Sequence, residues 1–230
     1  MIRTDGFERY NSWGHSASLR TLYRQRCQRA APEMTCAAQA AELLMPLAKP
    51  GQTILDAGCG SGHFFHSLKD RSIALDYFGI DATTSLIEIG QEELPSYGLP
   101  PEHLKVARIE DLSGSADFVL CMNVLTYLDN FHTPLARLLN IAKTGVILRE
   151  SISDTAEYSF IQDTQLDPGV TLSVHINTYE RTTLLDFIRS RGFDVQEFQD
   201  MRSDGQPEFF FGRPHHWTFL LATRRHQQNG

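Results

Sequence analysis

The chain has 230 residues, 41% of them hydrophobic, and a formal net charge of −7. This length suits one domain with a substantial core, and the acidic charge argues against broad binding to nucleic acid phosphates, which needs a basic surface. We find no apolar run of about 18 residues and no charged segment followed by a short apolar one, so we expect a cytoplasmic protein without a membrane span.

The N-terminal part of the chain is predicted to be helical. A first helix is predicted from Ser16 onward, because apolar residues follow at helical spacing, and either Ser16 or Ser18 is its predicted N-cap. A second is predicted from Pro32, which suits a first helical turn, to Leu47. Arginines concentrate in residues 1–30, where they form either a solvated helix face or, for one or two of them, contacts to an anionic substrate group: Arg3, Arg9, Arg20, Arg24, Arg26 and Arg29.

Strand and helix patterns then alternate. Strands are predicted at 53–57, 77–81, 103–108, 116–122 and 145–150, and helices at 62–69, 84–94 and 130–141. This alternation indicates βαβ units with right-handed crossovers, and therefore a doubly wound parallel sheet that binds ligands at the carboxyl ends of its strands. A helix at 181–191 and strands at 194–200 and 216–223 follow.

The connection between the last two predicted strands, residues 201–216, is long for a hairpin. It contains three consecutive phenylalanines, residues 209–211, among glycine and proline. Such a loop either lines a binding site or packs against the N-terminal helices.

Three glycines lie close together where the first predicted strand gives way to a helix. In "ILDAGCGSG", residues 54–62, Gly58, Gly60 and Gly62 alternate with other residues, two positions after Asp56. A glycine turn lets a ligand approach the backbone and the N–H groups of the following helix. The dinucleotide motif G-x-G-x-x-G would need a glycine at position 63, which is His63.

An acidic residue follows at the end of the second predicted strand. Asp81, in "YFGIDAT", can accept hydrogen bonds from both hydroxyls of an adenosine ribose. Nicotinamide-binding folds also use an acid here, so Asp81 alone does not distinguish a nicotinamide cofactor from another cofactor that contains adenosine.

The glycine spacing resembles motif I of the class I S-adenosylmethionine-dependent methyltransferases. "ARIEDL", residues 107–112, is similar to the family's adenine-contacting segment, although Arg108 replaces the usual acid, and "DFVLCMNVLTYL", residues 117–128, resembles the fourth strand and its loop. The resemblance implies a seven-stranded, mostly parallel sheet with the last strand antiparallel. It implies a cofactor-binding domain at residues 50–230, and an N-terminal helical cap at residues 1–49 with Tyr10, Trp13 and Tyr23 as cap residues.

The resemblance also implies S-adenosylmethionine as cofactor and S-adenosylhomocysteine as product. The implied cofactor-binding residues are Asp56, Gly58, Cys59, Gly60, Gly62, Asp81, Ala82, Ile109, Glu110, Cys121 and Asn123. The expected activity is transfer of a methyl group to oxygen or nitrogen of a small molecule, which the protein promotes by positioning the reactants and excluding water.

A hydroxyl acceptor would benefit from a general base. The predicted candidates are Glu150, which ends the fifth parallel strand, and His132, with His175, His215 and His216 as further choices.

We expect no metal and no nucleic acid substrate. A magnesium-dependent catechol-type site would need an Asp after the fourth strand and an Asp-Asn pair after the fifth, where this chain has Cys121-Met122-Asn123 and Arg149-Glu150. The four cysteines form no C-x-x-C pair, which suits reduced thiols. The Asn/Asp-Pro-Pro-Tyr motif of nucleic acid amino-methyltransferases is absent.

Two other functions stay open. The chain could be a catalytically silent S-adenosylmethionine-binding protein that docks a partner through its N-terminal helices. It could also be a nicotinamide-dependent oxidoreductase, against which His63 argues.

Overall fold

The structure, a computed structural model that describes residues 11–225, alternates strands and helices in the predicted order. The strands are β1 Gln52–Ala57, β2 Leu75–Asp81, β3 Leu104–Val106, β4 Ala116–Met122, β5 Ala142–Ser153, β6 Glu157–Gln162, β7 Ser173–Glu180, β8 Phe193–Gln199, β9 Glu208–Phe210, β10 Arg213–His215 and β11 Trp217–Arg224. The α-helices are α1 Ala17–Cys27, α2 Thr35–Leu44, α3 Phe64–Asp70, α4 Thr84–Glu93, α5 His132–Ile141 and α6 Arg181–Ser190.

Seven strands form the central sheet in the order β3-β2-β1-β4-β5-β11-β8. Strand β11 lies antiparallel between β5 and β8, while the pairs from β3 across to β5 are all parallel. The chain therefore has the mostly parallel, doubly wound sheet that was predicted, including the antiparallel last strand. At the switch point, β1 pairs with both β2 and β4, and the carboxyl ends of these strands meet at one edge.

Helices cover both faces of the sheet. Leu44 of α2, Phe64 of α3 and Ile87 of α4 pack on one face with Ile54 and Phe118. On the other face, residues of α5 and α6 such as Leu135 and Ile188 pack against Val119, Leu148 and Leu220. Burial on both faces explains why β4 and residues 145–148 of β5 are nearly continuous apolar runs without alternation.

The N-terminal helices share the first of these cores. The Ser16 hydroxyl accepts from the Leu19 N–H, so Ser16 rather than Ser18 caps α1. The second helix begins at Thr35 and ends at Leu44, so its predicted extent from Pro32 to Leu47 was wrong. The backbone at Met34 is extended and the segment before it is not helical. The predictions for Arg3, Arg9 and Tyr10 lie outside the described residues.

Two hairpins were not predicted. Strand β7 adds to the end of β5 at Ile152 and Ser153, and β6 pairs with β7 along its whole length. The segment 201–216 contains the small hairpin β9–β10. Both hairpins extend beyond the carboxyl end of the sheet core and add walls to the region above it.

No helix within residues 11–225 combines the length and the apolar character needed to cross a bilayer.

Candidate active site

A cavity of about 820 Å³ opens at the carboxyl ends of the central strands. Six of the predicted cofactor residues line it: Gly58, Asp81, Ala82, Ile109, Glu110 and Asn123. The sequence prediction thus identified residues from four different segments that the fold brings to one place. The other predicted residues, Asp56, Cys59, Gly60, Gly62 and Cys121, lie outside its lining.

The glycine turn after β1 needs its glycines for two reasons. Gly58 and Gly60 have φ angles of +82° and +58°, in the left-handed region that side chains disfavour. A Cβ at Gly58 would lie 2.2 Å from Cγ2 of Val124, and one at Gly60 would lie 2.3 Å from Cε1 of Tyr23. The turn is therefore packed by the protein's own side chains on one side and faces the cavity at Gly58.

Gly58→Ala is expected to lower the free energy of unfolding by about 1 to 3 kcal/mol, because it adds an overlap with Val124 to the backbone strain. Urea unfolding measures this change. Gly169→Ala is the matched control, because Gly169 has φ +85° and no atom within 4 Å of an added Cβ. Equal losses in the two variants would show that the contact with Val124 has no effect.

Asp81 holds the glycine turn against the end of β2. Its Oδ2 accepts a hydrogen bond from the Gly60 N–H at 2.9 Å, and its Oδ1 accepts from the Thr83 N–H at 2.8 Å. Burial raises the pKa of Asp81, while these hydrogen bonds lower it. Each carboxylate oxygen keeps accepting capacity after one backbone bond, so Asp81 can also bind ligand hydroxyls at the cavity wall.

Asp56 is buried at the end of β1 and accepts a hydrogen bond from the Tyr77 hydroxyl at 2.7 Å. Burial raises its pKa to about 7, and the Asp81 charge adds to the rise, while the Tyr77 bond opposes it. Asp56 therefore supports the strand ends from within the core.

This shift makes a pH-dependent prediction for Asp56→Asn. Between the ordinary pKa of 3.8 and the folded pKa of about 7, the folded protein keeps a proton that the unfolded chain releases. This group's contribution to stability is therefore complete below about pH 4 and is lost as the pH rises through 7. The amide still accepts from Tyr77 but does not titrate, so the stability of Asp56→Asn relative to the native protein should increase between about pH 4 and about pH 8. Urea unfolding across this range measures the difference, and a constant difference would contradict the pKa shift.

The predicted cysteines pack inside the protein. Cys59 and Cys121 are 5% and 0% exposed, and burial raises the pKa of both thiols well above the ordinary value. Cys59 Sγ would lie 2.7 Å from a Cβ at Gly79, so it fills the space between the turn and β2. All four cysteines are unpaired.

Neither predicted base lines the cavity. Glu150 is fully buried and accepts hydrogen bonds from the N–H groups of Val124, Leu125 and Thr126 at 2.8 to 3.1 Å. Burial raises its pKa to about 7 against the lowering effect of those bonds. His132 is exposed at the start of α5 and stacks on Phe131 at a centroid distance of 4.1 Å. Glu150 thus orders the loop after β4, and of the five candidate bases only His175 lines the cavity among the described residues.

Asn123, directly after β4, is hydrogen-bonded to Arg149 within β5. Asn123 has a left-handed backbone with φ +57°, its N–H donates to the Arg149 carbonyl at 2.7 Å, and its side-chain oxygen accepts from Arg149 Nη1. Arg149 is 1% exposed, and its Nε donates to Asp200 Oδ1 at 2.6 Å. Both Asn123 and Arg149 line the cavity.

The cavity continues beyond these residues into a chamber with an aromatic wall, defined by Trp13, Tyr127, Phe160, Phe210 and Trp217. The wall residues come from the N-terminal segment, the loop after β4, both unpredicted hairpins and β11. The three consecutive phenylalanines at 209–211 had indicated a loop that could line a site, and Phe210 is the one that lines the cavity. No pattern in the sequence indicated Phe160 or Arg149.

The arginines of the N-terminal segment are of two kinds. Arg20, Arg24 and Arg29 form ion pairs with acidic residues of other segments, as a solvated face would. Arg26 has no ion pair within residues 11–225, lies over the ring of Tyr23 at 5.1 Å and lines the cavity. Among the described residues, no group of three or more His, Cys, Asp or Glu is arranged to hold a metal ion.

A parallel sheet with an antiparallel β11, a glycine turn after β1 and an acid ending β2 beside one large cavity defines a Rossmann-like protein of the class I methyltransferase type. The profile of the family described as "Methyltransferase domain" matches residues 26–197, about three quarters of the chain. The chain belongs to this family, and the predicted resemblance is confirmed.

Solved structures share this fold at low sequence identity. An S-adenosylmethionine-dependent methyltransferase from Clostridium acetobutylicum has a TM-score of 0.64 and 12% identity, over 91% of this chain and 98% of that one. Magnesium protoporphyrin IX methyltransferase from Synechocystis, solved with bound S-adenosylmethionine, has a TM-score of 0.59 and 16% identity, over 93% of this chain and 94% of that one. The CcbJ methyltransferase from Streptomyces caelestis has a TM-score of 0.61 and 11% identity, over 93% of this chain and 98% of that one.

Proposed function

We propose that this protein transfers a methyl group from S-adenosylmethionine to oxygen or nitrogen of a small-molecule acceptor, without a metal. The observation that carries the proposal is the carboxylate of Asp81, which is fixed by two backbone N–H groups and lies at the wall of the cavity beside Gly58. Membership of the methyltransferase-domain family supports it, as does the cofactor named for the Synechocystis structure.

The residues present fit this cofactor. Asp81 can accept from both ribose hydroxyls, and the apolar side chains of Ala82 and Ile109 suit the faces of an adenine ring. Arg108 forms an ion pair with Glu110 Oε1 at 3.4 Å, so the other carboxylate oxygen of Glu110 and the Ile109 backbone are the groups that can contact the adenine edge. The cavity of about 820 Å³ is at the upper part of the size range of ligand sites, roughly 300 to 1,000 Å³, and leaves room for an acceptor.

Arg26 and Tyr23 belong to the methionine end of the site in this proposal. The Tyr23 ring lies against Gly60, and the Arg26 guanidinium lies over that ring without an ion pair among the described residues. A carboxylate next to the glycine turn would supply that missing partner. The described part of the predicted cap, residues 11–49, then closes this side of the cavity through Trp13, Tyr23 and Arg26.

Bound S-adenosylmethionine supplies a sulfonium-activated methyl group. The chain's own residues hold the acceptor in line with that group and keep water out, which are the main requirements of such a displacement. The aromatic wall serves both purposes. His175, which lines the cavity and packs against Phe160 at a centroid distance of 4.6 Å, is the base for a hydroxyl acceptor.

The acceptor is a small molecule in this proposal because an acidic chain with a walled cavity does not suit a nucleic acid. Four unpaired cysteines support a reducing, cytoplasmic environment.

The activity is tested with methyl-labelled S-adenosylmethionine and a small-molecule extract of cells. We expect label to pass to a low-mass acceptor in the presence of the native protein, and this transfer to be lost with Asp81→Ala. Binding of the labelled cofactor without transfer to any acceptor would instead support the silent binding protein.

A further inference from the structure

Two buried nitrogen donors beside the cavity lack hydrogen-bond partners among the described residues. They are Nη2 of Arg149 and Nε1 of Trp217. As whole residues, Arg149 is 1% exposed and Trp217 is 5% exposed. Both residues line the cavity. A buried N–H without an acceptor is unfavourable by about 1 to 3 kcal/mol, so such a pair at a cavity wall indicates a ligand that supplies acceptors.

The Arg149 guanidinium is fixed in position by its other contacts. Nε donates to Asp200, Nη1 donates to Asn123, and the guanidinium carbon lies 4.4 Å above the Trp217 ring. Nη2 has no hydrogen-bond partner among the described residues. A guanidinium held in this way loses little side-chain freedom when it binds a further acceptor.

The neighbourhood favours a group that only accepts hydrogen bonds. Arg149 and Trp217 offer N–H donors and no acceptor, so both oxygens of a carboxylate can accept from them, whereas a primary amide has only one accepting oxygen. Arg202, which pairs with Glu208, also lines this part of the cavity. The acidic lining residues are Asp81 and Glu110 on the other side and Asp129, which is exposed at the rim.

We propose that Arg149 Nη2 and Trp217 Nε1 bind a carboxylate of the methyl acceptor, and that the acceptor is an aromatic acid whose ring lies against the aromatic wall. The inference rests on the proposed function and names its substrate class. The carboxylate supplies two acceptor oxygens for two donors, and the ring contacts the side chains of Tyr127, Phe160 and Phe210.

The proposal is tested by calorimetry on the full chain saturated with S-adenosylhomocysteine. The probes are benzoate, phenylacetate and 3-phenylpropanoate, each compared with its primary amide. We expect at least one carboxylate to bind about tenfold or more tightly than its amide, as befits charge-assisted hydrogen bonds. Equal binding of acid and amide, or no binding of any carboxylate, would overturn the proposal.

Two variants locate the binding donors. Trp217→Phe removes the indole N–H and keeps a ring under the guanidinium, and Arg149→Lys keeps a positive charge for Asp200 but removes Nη2. Each should weaken the best carboxylate about fivefold to tenfold, and Trp217→Phe should change the affinity for S-adenosylhomocysteine less than about twofold. Arg189→Lys is the matched control, since the Arg189 side chain is 48% exposed and pairs with Asp186 on α6.

A parallel loss of affinity for S-adenosylhomocysteine in Trp217→Phe would overturn the inference, because the two donors would then serve the cofactor's own carboxylate. Failure of the native chain to bind S-adenosylhomocysteine would refute the proposed function, so the two failures are distinguishable.

Discussion

Replacing Asp81 by alanine is expected to weaken the binding of S-adenosylhomocysteine by about 1 to 3 kcal/mol, or roughly 5-fold to 150-fold in Kd. The change removes the proposed acceptor for the ribose hydroxyls. It also frees the N–H groups of Gly60 and Thr83, which the carboxylate now holds. Because the turn would lose its anchor at the same time, we expect a loss near the upper end of this range. Isothermal titration calorimetry measures it directly.

Asp117→Ala is the matched control for Asp81→Ala. Asp117 accepts hydrogen bonds from the backbone N–H and the hydroxyl of Thr53 at 2.8 and 3.0 Å, but it does not line the cavity. Asp117→Ala should therefore loosen a strand to a comparable degree without lowering the affinity for S-adenosylhomocysteine. Equal affinities of Asp81→Ala and Asp117→Ala would count against the proposed role of Asp81.

Replacing Asp200 by alanine is expected to lower the free energy of unfolding by about 3 to 5 kcal/mol, because it leaves the buried Arg149 charge without a carboxylate. The two side chains are 2% and 0% exposed and are joined by a bond of 2.6 Å. Burial alone would raise the pKa of Asp200, but Arg149 lowers it overall. The Ser203 N–H, which donates to Asp200 Oδ2 at 2.9 Å, would also lose its acceptor. Urea denaturation provides the measurement.

Asp154→Ala controls for the loss of an aspartate bound to an arginine. Asp154 pairs with Arg181 at 3.2 Å, but its side chain is 92% exposed, and exposed ion pairs contribute little to stability. A small change for Asp200→Ala, similar to that for Asp154→Ala, would show that the buried pair is dispensable.

The sheet and its ligand edge were predictable because they depend on local patterns. β4 was predicted with its exact bounds, since a buried strand between turn signals carries a continuous apolar run. Asp81 and Gly58 were predicted together because the glycine turn after the first strand and the acid that ends the second resemble the family's motifs. These short-range regularities describe the half of the cavity next to β2.

The other half of the cavity could not be predicted because its residues meet only through long-range pairing. Phe160 lies on β6, a segment of alternating burial that pairs with β7. Strand β7 in turn pairs with the end of β5, so the position of Phe160 depends on two successive long-range pairings. Arg149 lies within an apolar strand, and its partner Asp200 is 51 residues away in sequence. Glu150 was predicted to end the fifth strand, but β5 continues to Ser153, and the N–H groups of residues 124–126 already occupy the Glu150 carboxylate, which no spacing rule could indicate.

The most direct test of the central claim is a calorimetric titration of the full chain with S-adenosylhomocysteine and, separately, with NAD⁺. We expect saturable binding of one S-adenosylhomocysteine per chain and no measurable binding of NAD⁺. Binding of NAD⁺ in preference to S-adenosylhomocysteine, or binding of neither, would contradict that claim.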